Sequence, residues 1–391
     1  MTFFYQSHIP MTVKKAVGKV HLWLGLASGL VVFIVSLTGA IFTFQDEIRD
    51  LTEPWRKVEA QATAPLLPSR LQDAALAKHP DVKKATTWVT YFGPERAATV
   101  FFTDSAQMPI MVSLNPYTGQ VLQEQNLRYH FFSIVQAIHM TLLLPEAVAK
   151  WVVGGSVIVF VVMLITGLVL WWPKRKQERK QRFTIKWGAR WRRVNYDLHN
   201  VLGFYVASIA VVLALTGLFM IFPVLLDSVV LVANGGREYP QEKAVAKVDT
   251  LQAVTAAVQP LPDIIYRTVQ RRSPNAEMIL IGPAGTGKDP AYCWAYQKTL
   301  HYYHRDDYAF HPVSGQVLQA RFHAGKSSGG KLSDMNYDLH TGQLLGLGGK
   351  IVAFLASLIS ASLPVTGTVL WWGRRQKSKK GAKNLKTVAV R

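Results

Sequence analysis

The chain has 391 residues, 49% of them hydrophobic and 17% charged, with a formal net charge of +20. This balance fits either one large soluble fold or a membrane protein with soluble parts. The single cysteine, Cys293, excludes an internal disulfide, and the absence of Cys-x-x-Cys-His excludes a covalently attached c-type haem. A charge this positive is common in nucleic-acid binders, but its placement along the chain argues against one.

In chain order, residues 1–45 hold a short basic start (Lys14, Lys15, Lys19) and the uncharged run Leu22–Phe44, read as the first membrane span. This run is longer than the apolar core of a secretory signal and is followed by Gln45-Asp46-Glu47, so it is expected to be a retained anchor. Residues 46–149 are near neutral. Residues 150–172 contain the second uncharged run, Trp151–Trp172. The loop 173–198 carries ten Lys/Arg against Glu178 and Asp197. The third span is expected at 199–222 (run Val201–Phe222), a second near-neutral segment at 223–348, the fourth span at 349–372 (run Ile351–Trp372), and a tail at 373–391 with eight Lys/Arg and no acid.

A hydrocarbon core of ~30 Å needs about 20 helical residues, so each uncharged run can cross it. Nearly all of the net charge lies in the three basic segments. By the positive-inside pattern both termini and 173–198 face the cytoplasm, and the two long segments lie outside. Anionic lipid explains the basic clusters without DNA or RNA.

Inside 46–149, Ser69–His79 reads as a helix. Thr86–Tyr91, Thr99–Phe102 and Ile110–Leu114 read as strands, and a further strand follows a turn at Asn115–Gly119. Residues 250–318 read similarly. The halves also align. His21 precedes Thr38-Gly39 by the same spacing as His199 precedes Thr216-Gly217. Phe92-Gly93-Pro94 matches Ile281-Gly282-Pro283, and Pro116–Leu122 matches Pro312–Leu318. Thr166-Gly167-Leu168-Val169-Leu170-Trp171-Trp172 matches Thr366-Gly367-Thr368-Val369-Leu370-Trp371-Trp372. The expected fold is therefore a mainly α membrane protein: two tandem repeats of helix, external α+β module and helix, related by an axis along the membrane normal.

The pentapeptide Asn-Tyr-Asp-Leu-His occurs at 195–199 and again at 336–340, yet the copies are not repeat mates. The mate of His199 is His21, and the mate of His340 is His139. This pairs His21 with His199 near the inner face, and His139 with His340 near the outer face. One such histidine alone would read as an interfacial residue. Two pairs at two depths suit metal ligation. Zinc would want four ligands, and no Cys or carboxylate accompanies either pair within the spans. Haem iron needs only two axial ligands from protein. Gly25 and Gly203, each one turn after a histidine, leave room for a ring edge or for helix packing. The helix rise places Thr166 and Thr366 at the inner level, and Thr38 and Thr216 at the outer level, where their hydroxyls can orient imidazoles.

The set of motifs closely resembles the PepSY-associated transmembrane family. It comprises a His-x3-Gly helix ending Leu-Thr-Gly, an external module with the Pro-x-x-Gly-Gln-Val-Leu turn, and a His followed by a helix ending Thr-Gly-x-Val-Leu-Trp-Trp and a basic cluster. Within that family the chain most resembles inner-membrane ferric-siderophore reductases of the ferrioxamine type. The resemblance implies two haem b groups, held by His21, His199, His139 and His340, and reduction of ferric siderophores in the periplasm. His139 lies farther ahead of its span than the compact pattern has it, which leaves His130 open as the outer ligand.

His301-Tyr302-Tyr303-His304-Arg305 has no counterpart in the first half and could line a chelate site, or form a polar strand and turn. Gly282–Lys288 fits a P-loop up to its lysine, but Asp289 replaces the Ser/Thr that binds Mg²⁺, and the repeat aligns it with a hairpin turn. No Gly-x-Gly-x-x-Gly marks a nucleotide domain. Electrons would come from a quinol or from a separate cytoplasmic reductase. Two alternatives remain: a membrane-anchored binding or inhibitory module, and a haem quinol oxidoreductase with another acceptor.

Overall fold

The computed structural model describes residues 13–173, 179–243, 245, 259–285 and 289–388. They form two compact units. One comprises Met1–Thr43, Val135–Phe222 and Lys350–Arg391; the other comprises Phe44–Ile134 and Pro223–Gly349.

The first unit is helical. Helix α1 spans Val13–Thr43. In the other unit lie α2 (Gln45–Thr52) and α3 (Pro68–Leu76). Helix α4 (Phe131–Thr141) ends at Leu142 and Leu143, both with positive φ, before Pro145 opens α5 (Glu146–Trp171). After the short α6 (Arg179–Phe183), α7 (Trp191–Asp197) continues through one π turn, Leu198–Leu202, into α8 (Gly203–Ile221). The last helix runs from Gly346 to Val388, and from Lys350 onward it belongs to this unit. Among the described residues, four helices are long and apolar enough to cross a bilayer: Val13–Thr43, Glu146–Trp171, Trp191–Ile221 and Gln343–Gln376. The shortest, at 26 residues, extends about 39 Å. The third begins well before the expected boundary at 199, so Asn195–His199 lies within the helix rather than ahead of it. His139, expected at the edge of an external module, belongs to the helical unit.

The second unit is a single antiparallel sheet covered by helices. Its strands are β1 (Trp88–Tyr91), β2 (Ala98–Thr103), β3 (Pro109–Leu114), β4 (Val121–Asn126), β5 (Met278–Ile281), β6 (Ala291–Tyr296), β7 (Arg305–Phe310) and β8 (Val317–Arg321). The order β4-β3-β2-β1-β5-β6-β7-β8 runs outward identically from its centre. There β1 pairs with β5 through Val89↔Ile281, Thr90↔Leu280 and Tyr91↔Ile279. The two segments that the sequence separates into modules thus share one sheet. Register shifts fall at Ser113/Leu114 and at Ala309/Phe310, equivalent positions in the two halves.

Alternate residues such as Ala98, Val100 and Phe102 face a core completed by Leu71 of α3 and by Ile265 and Val269 of α10 (Leu261–Arg272). Cys293 is buried within it. The Asp263 carboxylate of α10 accepts the Ser69 backbone N–H at 2.8 Å and the Ser69 hydroxyl at 2.7 Å, fastening the start of α3 where the helix dipole favours an anion. Two further helices, α9 (Pro223–Ala233) and α11 (Ser328–Thr341), lie in this unit, and α12 is the helix Gly346–Val388. The Ser327 side chain caps α11, and Gly342 ends it in the left-handed conformation at φ 76°. Of the P-loop-like stretch, Gly282 sits in the β5–β6 hairpin with its N–H on the Tyr292 carbonyl at 2.9 Å; residues 286–288 lie outside the described residues.

Candidate functional site

The helical unit brings His21 and His199 together. Their ring centroids lie 6.4 Å apart with the planes at 82°. Each ring is held in the same way by a different Thr-Gly pair. His21 Nδ1 lies 2.9 Å from Thr166 Oγ1, and His199 Nδ1 lies 2.9 Å from Thr366 Oγ1.

The hydrogen-bond network assigns the tautomers. The Thr166 hydroxyl donates to the Val162 carbonyl at 2.8 Å, and the Thr366 hydroxyl donates to the Ser362 carbonyl at 3.0 Å. A hydroxyl has one hydrogen, so each oxygen accepts from the imidazole Nδ1–H. Nε2 then carries the lone pair that a metal ligand requires.

The glycine after each threonine faces the ring, closely at Gly367 and at ordinary contact distance at Gly167. A Cβ at Gly167 would stand 3.4 Å from His21 Cε1, and one at Gly367 would stand 3.2 Å from His199 Cε1. Asn195, one turn before His199, donates to the Thr366 carbonyl at 3.1 Å, so the α7–α8 helix grips Thr366 by side chain and backbone together. The π turn contains His199, a local widening that frequently accompanies functional residues.

Both imidazoles line a cavity of about 420 Å³, within the size range of cofactor pockets. Its walls include Gly18, Gly25, Gly29 and Gly203, with no carboxylate and no thiol among the described residues that line it. Trp171 is buried. It stacks on Phe204 at 3.8 Å and its indole N–H donates to the Arg182 carbonyl at 3.1 Å, while Trp172 is exposed.

His139 is held by the equivalent corner on α1. Its Nδ1–H donates to the Val35 carbonyl at 2.8 Å and lies 3.3 Å from Thr38 Oγ1, and a Cβ at Gly39 would come within 2.9 Å of its Cε1. His340 belongs to the sheet unit, on α11. His130 is engaged elsewhere: its Nε2 lies 2.8 Å from Glu53 Oε1.

The His301–Arg305 stretch is bound into the sheet unit. Asp338 Oδ2 accepts the backbone N–H groups of Tyr302 and Tyr303, both at 2.9 Å. Burial pushes the Asp338 carboxyl up to about 6, against those two donors. Arg305 pairs with Asp307 and Asp334, each at 2.9 Å, and the Gln343 amide meets His301 Nε2 at 3.0 Å. Tyr303 and His304 stack on each other and remain half-buried.

The role of the Asp in the repeated pentapeptide emerges only from the structure. Asp197 accepts the Lys186 backbone N–H at 3.2 Å, as Asp338 accepts those of Tyr302 and Tyr303, so each copy ties down a loop earlier in the chain: the one ahead of α7 for Asp197, and the β6–β7 connection for Asp338. The recurrence of the five residues was the available signal, because a buried Asp needs N–H donors wherever it occurs.

No curated protein matches the chain. A family model described as the PepSY-associated TM region matches residues 19–374, a range that takes in the sheet strands, nearly all of the four membrane-length helices and all four candidate histidines. The chain is a multi-pass membrane protein and belongs to the PepSY-associated transmembrane family.

Proposed function

We propose that the chain is a haem-bearing electron carrier of the bacterial inner membrane that reduces ferric siderophores on the periplasmic side. The observation that carries this reading is the His21–His199 pair. Both rings line one cavity with their centres 6.4 Å apart, a spacing at which the two imidazoles would hold one metal between helices. A macrocycle supplies the other ligands, in keeping with a cavity wall that offers no carboxylate or thiol.

Bound there, a b-type haem would supply a one-electron couple. His21 and His199 would hold it through Nε2, Thr166 and Thr366 fix the ring orientations, and the glycines keep the walls open to a flat ligand. The resemblance implies a second such group, and His139 is held by a Thr-Gly corner on α1 like those behind His21 and His199. The basic segments support cytoplasmic termini and an external sheet unit. With no nucleotide-binding motif in the sequence, the donor is a membrane quinol or a separate cytoplasmic reductase.

The siderophore assignment rests on the resemblance and on the substrate's chemistry. Hard oxygen ligands hold ferric iron, and one electron converts it to the softer ferrous ion, which they grip less well. Stopped-flow mixing of the chemically reduced protein with a ferric hydroxamate and a ferrous trap tests it. Reoxidation with formation of the ferrous complex is expected. Protein that stays reduced with saturating chelate but reacts with another acceptor contradicts the substrate.

A further inference from the structure

The cavity between His21 and His199 has two unlike ends. Lys14, Arg182 and Arg374 also line it, and among the described residues these are its charged lining groups apart from the histidines. They come from three separate elements, α1, α6 and α12, yet they fall at the same end. Lys14 stands two turns ahead of His21 on α1, and Arg374 two turns beyond Gly367 on α12, about 10 Å along the axis in each case. Arg182 is fixed nearby: its carbonyl accepts the Trp171 indole N–H at 3.1 Å, and its guanidinium donates to the Tyr196 hydroxyl at 3.2 Å. Beyond the histidines in the other direction the wall is uncharged, with Gly25, Gly29, Val32, Phe160, Leu164 and Pro364.

We infer that Lys14, Arg182 and Arg374 form a carboxylate-binding rim, which selects a flat macrocycle bearing acids on one edge and seats that edge toward the basic end. This rests on the haem reading of the imidazole pair. An apolar slot that carries three cations and no anion at one end is matched by a ligand with one apolar and one anionic edge. Placed this way, the carboxylates meet guanidinium forks and an ammonium, and no anion is carried into the uncharged end. A neutral ligand of the same outline would offer these cations no anion to meet.

The test uses the full chain, produced without haem and purified in detergent. Iron protoporphyrin IX and its dimethyl ester are titrated in separately, and the binding step belonging to this cavity is identified as the one missing from His199→Ala. The free acid is expected to bind at least about tenfold more tightly than the ester, since hydrogen bonds to charged groups are the strong ones. The preference should shrink below about threefold in Arg182→Gln/Arg374→Gln, return in Arg182→Lys/Arg374→Lys, and weaken with added salt for the acid only. Equal affinities in the wild type overturn the rim and leave the imidazole-pair reading standing. A preference that persists in the double glutamine variant overturns the assignment to these side chains. Binding of neither compound overturns both.

Discussion

The His199 imidazole and the Thr366 hydroxyl meet at 2.9 Å, with the hydroxyl hydrogen already committed to its own helix. This contact fixes both the ring's position and its tautomer, and His21 with Thr166 reproduces it. Thr166→Val and Thr366→Val keep the shape and remove the acceptor. Each is expected to weaken haem retention in the cavity by about 10- to 100-fold, the range for an orienting partner behind a metal ligand. Thr366→Ser should retain most of it. Haem content after dilution and repurification measures the effect.

The glycines beside the rings make a ranked prediction. Gly→Ala within a helix gains about 1 kcal/mol, whereas forcing atoms into a packed site costs about 1–3 kcal/mol. A Cβ at Gly39 would sit 2.9 Å from His139, one at Gly167 would sit 3.4 Å from His21, and one at Gly155 meets nothing within 4 Å. Thermal unfolding should therefore show Gly39→Ala destabilised, Gly167→Ala near neutral and Gly155→Ala slightly stabilised. The reverse order would contradict the packing described.

In the sheet unit, Lys326 bonds Asp334 at 2.6 Å and Asp307 at 2.7 Å, and all three are buried. Lys326→Met leaves two carboxylates with only arginine partners. Removing one member of a buried ionic group costs about 3–5 kcal/mol. The loss should appear as faster hydrogen exchange across β7 and α11, with the helical unit unchanged.

The four spans were legible because an uncharged run of this length matches the thickness of a bilayer's hydrocarbon core. The strands β1–β4 were legible from alternation and from the turn at Asn115–Gly119. The joining of β1 to β5 was not, because edge pairing is made by backbone groups that every sequence carries. The clue was Met278–Ile281, an unbroken apolar run of the kind a strand enclosed on both faces shows. At the site, spacing put Thr166 and Thr366 level with His21 and His199. The basic rim was hidden, since Lys14, Arg182 and Arg374 lie in clusters that anionic lipid alone would account for. The π turn at His199 has no sequence signature at all.

Burial, with help from His304, Lys326 and Lys331, holds His323 well below its usual value, at about 4. Its folded form resists the proton that the unfolded chain takes up below about 6.5, so the stabilising contribution is full at neutral pH and declines as pH falls from about 6.5 toward 4. Acid unfolding of the sheet unit over this window should be shallower in His323→Gln. An unchanged pH profile would remove His323 as a contributor.

The most direct test of the central claim is the visible absorption spectrum of the full chain from haem-replete cells, recorded oxidised and then reduced, with haem counted per chain. A low-spin b-type spectrum is predicted, together with loss of one haem in both His21→Ala and His199→Ala and retention of a low-spin remainder. Colourless protein, or full haem content in both variants, would contradict it.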